Sequence, residues 1–165
     1  MVQLGNLVTI TLTLFAVIDM LGNIPVIISL RRKMGSIQST KATITAGVLM
    51  LTFLFVGERL LNFIGIDVLS FSLAGAIVLF LIGLEMVLGV EFFRSTQSST
   101  SGSIVPIAFP LIAGSGSLTT IISLRAAYTT LEIFLGILIN IIIIYVVLKT
   151  TNWIEQKLGT NGIEI

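Results

Sequence analysis

The chain has 165 residues, of which 55% are hydrophobic and 10% charged, with a mean hydropathy of +1.11. A soluble domain carries about 25% charged residues, so this composition excludes an ordinary water-exposed surface. Nine Lys and Arg against eight Asp and Glu leave a net charge of +1, too little to hold nucleic acid, and the absence of Cys and His removes disulfides, thiol chemistry, imidazole bases and the usual transition-metal sites. What remains is an all-α, polytopic transmembrane helical bundle whose first partner is the lipid bilayer. No resident cofactor is implied.

Five apolar runs follow one another at 7–30, 43–64, 68–90, 104–124 and 132–148. At ~1.5 Å per residue a helix needs about 20 residues to cross a ~30 Å hydrocarbon core. The first four runs meet that length, and Thr150, Thr151, Asn152 and Trp153 extend the fifth into the interface. Placing the 31–42 connection in the cytoplasm puts Arg31, Arg32, Lys33, Lys41, Arg94, Lys149 and Lys157 inside and Arg59 and Arg125 outside. This bias predicts a multi-pass cell-membrane protein, of the inner membrane in a Gram-negative host, with its N-terminus outside.

The first run carries Asp19 near mid-membrane, followed by Gly22, Asn23 and Pro25. A carboxylate at that depth costs about 2.5–3.5 kcal/mol on insertion scales, so it is expected to face protein or water. On a continuous helix Thr9, Thr13, Asp19 and Asn23 share one face, and Pro25 leaves the Leu21 carbonyl without its usual donor. The fourth run carries Pro106 and Pro110, then Gly114, Ser115, Gly116 and Ser117. A half-helix starting near Ser115 or Ser117 would offer free N–H groups to a carboxylate. Asp19, Gly22, Asn23, Pro25, Pro110, Gly114, Ser115, Gly116 and Ser117 are therefore the candidate substrate-binding residues, against the plainer reading of kinks and close helix packing by small residues. Glu85, near the end of the third run, joins Asp19 as a candidate ion or proton relay, with simple interfacial placement as the alternative. Asn140 in the fifth run is expected to hydrogen-bond between helices, for packing specificity or in contact with substrate.

The two breaks lie at nearly the same offset as a weak repeat, in which Asn62-Phe63-Ile64 recurs as Asn152-Trp153-Ile154. The expected architecture is a 3+3 inverted repeat lacking its sixth span: residues 1–93 form the first three-helix unit, 94–103 a Ser/Thr-rich cytoplasmic linker, and 104–165 an incomplete second unit with two of three helices. Such repeats are common in secondary transporters.

Three segments together resemble the MarC family of bacterial and archaeal inner-membrane proteins. They are Phe15–Pro25, Phe63–Ile66 with Leu73–Met86, and Pro106–Gly116. The resemblance covers essentially the whole chain, and it implies six spans and, by analogy with some relatives, transport of small neutral amino acids such as glycine and alanine. Two positions depart from the family pattern: Met20 and Ser115 each stand where the family usually has a proline.

The function expected is that of a secondary transporter or exporter of small neutral solutes, with Na+ or H+ as the candidate coupling ion and a homo-oligomer as a candidate assembly. The alternative is a non-transporting membrane structural or assembly partner. An enzyme is not expected, because no Ser has a His partner and every Lys lies in a connection or at a span end.

Overall fold

The computed structural model describes residues 2–34, 37–88 and 104–158. The linker 94–103 and the tail beyond 158 lie outside them, as does the side chain of Glu85. The elements in order are α1 (Leu4–Ile18), α2 (Ile24–Met34), α3 (Ser39–Ile64), α4 (Val68–Leu88), a π-helical segment π1 (Ile104–Ile112), α5 (Ser115–Leu124) and α6 (Thr130–Leu158). The described structure is all-α. Even the β-branched run Ile141–Ile144 is helical, since in a lipid setting only internal hydrogen bonding satisfies the backbone. Two of these helices, α3 and the Thr130–Thr151 part of α6, are each long and apolar enough to cross a membrane.

Local chemistry explains where each helix starts and stops. Helix α3 ends at Gly65, whose φ of 80° no bulky residue accepts; its N–H bonds to Asn62, and the Ile66 N–H reaches back 2.9 Å to the Leu61 carbonyl. Asp67 then caps α4, its carboxylate accepting the Ser70 N–H at 2.8 Å and the Ser70 hydroxyl at 2.6 Å. These bonds, led by the Ser70 hydroxyl, hold the Asp67 carboxyl below its ordinary value of 3.8. In π1 the hydrogen bonds are of the wide kind, as in Ala113 N–H to Ala108 carbonyl at 2.9 Å, and Pro110 inside it has no N–H to donate.

Helices α1, α3 and α6 build the centre, burying Ile10, Leu14, Met50, Leu54, Ile133, Ile137 and Ile144. Close approach is set by two glycines of the long helices. A Cβ on Gly47 would lie 2.8 Å from Ile141 Cδ1, and one on Gly136 would lie 2.6 Å from Ile10 Cγ2. Asn140 joins the same seam, its Nδ2 donating to the Thr11 carbonyl on α1 at 3.2 Å, which is the interhelical bond expected of it. Helix α5 packs against α1, α3 and α4. By contrast α4 is peripheral: none of its described side chains is buried, and Leu69, Leu73 and Phe80 face outward. Its anchors are the stacked pair Phe53–Phe71, at 5.6 Å between ring centroids, and the start of α5.

Two sequence expectations need correction. The polar residues of the first run do not share a helical face, because α1 stops at Ile18 and leaves Asp19 and Asn23 in a turn, while Thr9 is tied to the Gly5 carbonyl of its own helix. The paired triplets are also not equivalent: Asn62-Phe63-Ile64 forms the last turn of α3, whereas Asn152-Trp153-Ile154 lies within α6, which continues to Leu158.

Candidate functional site

Both interruptions expected from Gly and Pro are present, one at 19–23 between α1 and α2 and one at 113–114 between π1 and α5. Asp19 takes the left-handed conformation, φ 44° and ψ 51°, that ends α1, and its N–H bonds to the Phe15 carbonyl at 3.0 Å. Its Oδ1 accepts the Gly22 N–H at 3.1 Å. A Cβ on Gly22 would fall on the Asp19 carboxylate, so any larger residue there displaces that side chain. Asn23 donates Nδ2 to the Ile18 carbonyl at 3.0 Å, satisfying an acceptor left over at the end of α1. Asp19 is exposed and Asn23 half-buried.

Pro25 acts differently from the sequence expectation. It sits in the first turn of α2, where a missing N–H costs nothing. The Leu21 carbonyl is not released, because the Ile24 N–H donates to it at 3.2 Å. The break therefore comes from Asp19, Gly22 and Asn23, and Pro25 sets the direction in which the chain resumes.

The second break is assembled from hydroxyls turned back on the main chain. Ser117 is buried and its hydroxyl donates to the carbonyls of Ile112 and Gly114, both at 3.0 Å. Thr119 and Thr120 bond to the carbonyls of Ser115 and Gly116 at 2.7 Å. Gly114 is the extended N-cap residue, and the first intrahelical bond is Leu118 N–H to its carbonyl at 3.0 Å. The N–H groups of Ser115, Gly116 and Ser117 thus precede any helical acceptor. This end of α5 offers backbone donors and the positive end of a dipole, while its hydroxyls are spent on the scaffold.

The breaks are close in space: a Cβ on Gly116 would lie 3.5 Å from Val17 Cγ1, two residues before Asp19. Helix α4 closes another side, where the Ser115 hydroxyl donates to the Ser72 carbonyl at 3.3 Å and a Cβ on Gly75 would land on the Ser115 side chain. Pro110 is buried at the approach to the second break. An acid at the end of one helix and N–H groups without a helical acceptor at the start of another form a pair of opposite electrostatic character. That pair can receive an ammonium and a carboxylate.

Two participants escaped the sequence reading. Gly75 lies in the family-like segment Leu73–Met86 but bears on the site through residue 115, forty positions away, so nothing local assigns it to this site. Glu132 had a local signal: Thr129-Thr130-Leu131-Glu132 has the spacing of a capping box. It is buried, and its carboxylate accepts the Thr129 N–H and hydroxyl (3.1 and 2.8 Å), the Gln3 N–H (3.1 Å) and Asn6 Nδ2 (3.0 Å), joining the starts of α6 and α1. A separate apolar groove of about 360 Å³ between α1 and α6, lined by Leu4, Leu7, Val8, Thr11, Leu12 and Ile139, lies away from the breaks and suits lipid chains. Among the described residues no cluster of acids could hold a metal ion.

The profile of MarC family integral membrane proteins matches residues 4–165. A UPF0056 membrane protein of Aquifex aeolicus is 30% identical over 170 residues, covering 93% of this chain and 79% of its own length. One from Pyrococcus abyssi is 30% identical over 160 residues (92% and 80%), and one from Buchnera aphidicola of Schizaphis graminum is 32% identical over 130 residues (76% and 66%). No solved structure matches the chain. With its sequence matched almost from end to end and two helices able to cross a bilayer, the chain belongs to the MarC family of integral membrane proteins.

Proposed function

We propose that this protein is a secondary transporter of small neutral solutes, with small amino acids as the substrate class, and that the two helix breaks form its binding site. The observation that carries the reading is the pairing of Asp19 at the end of α1 with the N–H groups at the start of α5 that precede any helical acceptor, in helices that approach at Val17 and Gly116. A zwitterion matches both ends: Asp19, whose Oδ1 accepts the Gly22 N–H, takes the ammonium, and Ser115, Gly116 and Ser117 take the carboxylate through their backbone. Little room beside Gly75, Ser115 and Gly116 favours a small side chain on the substrate.

On this reading residues 1–93 and 104–165 are two units of an inverted repeat. The order broken span then long helix supports it, occurring once as α1, α2, α3 and again as π1, α5, α6. The N-terminus faces outside and the 31–42 connection the cytoplasm, as the positive charges favour. Na+ or H+ supplies the driving force, with Asp19 and Glu85 as the relay groups.

A second reading has one observation in its favour. Asp19 is already satisfied in part by its own turn, which is what a structural carboxylate in a non-transporting assembly partner would show. Uptake of labelled alanine and glycine into proteoliposomes separates the two. Saturable uptake above protein-free vesicles is expected, and its absence for correctly inserted protein, across Na+ and pH gradients, would reject transport of these substrates.

A further inference from the structure

The end of the bundle opposite Glu132 gathers positive charge on three elements. Helix α2 closes with Arg31, Arg32 and Lys33, α3 opens with Lys41 in its first turn, and α6 carries Lys149. Residues 35–38 are the whole connection from α2 to α3, and the Ser39 hydroxyl donates to the Leu148 carbonyl at 3.3 Å, which holds the start of α3 beside the turn that bears Lys149. No Asp or Glu occurs from Met20 to Gly57 or from Ile133 to Ile154. The next acid along α6 is Glu155, followed by Lys157.

The two lysines whose side chains are described are both exposed. Lys149 rests on a neutral partner, its Nζ 5.4 Å from the Tyr145 ring centroid and 3.5 Å from the Tyr145 hydroxyl. Tyr145, one turn before Lys149 on α6, thus holds the ammonium without cancelling its charge. A tyrosine with an apolar body and a wet hydroxyl belongs at the boundary of hydrocarbon and headgroups.

We propose that this ledge, with Lys41 in the first turn of α3 and Lys149 beside Tyr145 on the neighbouring turn of α6, is a docking surface for the phosphate headgroup of an anionic phospholipid. Positive charges on three converging helix ends complement an anionic headgroup layer, and the apolar helices below present a surface to its acyl chains. A lysine near an anionic membrane surface contributes about fivefold in binding, which sets the size of the effect. The proposal does not depend on what the protein transports.

The test uses the full chain purified in mild detergent and exchanged into nanodiscs of phosphatidylcholine with an equal amount of phosphatidylglycerol. Lipid retained through partial delipidation is counted by native mass spectrometry. Preferential retention of phosphatidylglycerol is expected, reduced about fivefold by K41Q or K149Q and roughly twenty- to thirtyfold by both. K41R/K149R should keep the preference, as should R59Q and R125Q, whose residues lie away from the ledge. Equal retention of the two lipids by the wild type, or an undiminished preference in folded K41Q/K149Q, would overturn the proposal. Displacement of the lipid by an equal concentration of inorganic phosphate would also overturn it, assigning the ledge to a free anion.

Discussion

Asp19 holds a backbone conformation that few side chains accept, with φ 44° and ψ 51°. Asn and Gly accept it best, whereas a β-branched residue there is strained. Asp19→Asn is therefore expected to fold like the wild type while losing its charge, and Asp19→Val to lose about 1–3 kcal/mol of stability. Thermal melting in detergent distinguishes the two. Gly22→Ala would place a methyl on the Asp19 carboxylate and Gly75→Ala one on the Ser115 side chain. Each should reduce uptake at least tenfold with near-normal expression, and Ser115→Gly should restore Gly75→Ala in part because it clears the space the new Cβ needs. Uptake and melting measured on the same preparations check this. A loss of uptake unmoved by the second substitution would show that Gly75 acts elsewhere.

The helices are joined at their ends and along one seam, and each junction makes a separate expectation. Gly136→Ala should cost about 1–3 kcal/mol, because the added carbon meets Ile10 Cγ2 at 2.6 Å. Asn140→Leu should cost about 0.6–2 kcal/mol by deleting the bond to the Thr11 carbonyl. Glu132→Ala should lower the melting temperature more than Glu132→Gln, which keeps an acceptor for some of the donors from Gln3, Asn6 and Thr129. Asp67 adds a pH dependence: its folded carboxyl lies below 3.8, so its contribution is complete above the unfolded value and fades as pH falls through the folded one. Asp67→Asn keeps a capping side chain and should flatten that part of a melting series taken from pH 5 to pH 3. At this scale the sequence was readable wherever the signal was local. Gly65 with Asn62, Gly22 with Pro25, and Gly114 with Ser115 punctuate helices through their own main chain. Glu132 to Gln3 and Gly75 to Ser115 are contacts between distant positions, and hydrophobic periodicity carries no information on which helix faces which. The Leu21 carbonyl keeps a donor, since a proline frees a carbonyl only inside a helix and Pro25 stands in the first turn of one.

For the molecule as a whole, composition alone required an apolar helical bundle, and family membership and the two long apolar helices agree with it. The charge distribution favours one orientation: single cysteines at Gln3 and Gln38 should label from opposite sides of the membrane, and equal labelling of both from outside would end that reading. The central claim is that the two breaks act together on a zwitterionic solute, with Asp19 as the group that needs its charge. The most direct measurement is uptake of labelled alanine by wild-type and Asp19→Asn protein in proteoliposomes matched for insertion and melting temperature, across pH and Na+ gradients. The account predicts saturable wild-type uptake and at least a tenfold loss, with altered ion dependence, in Asp19→Asn. Undiminished uptake by a well-folded Asp19→Asn protein, with the wild-type pH and Na+ profile, would contradict it.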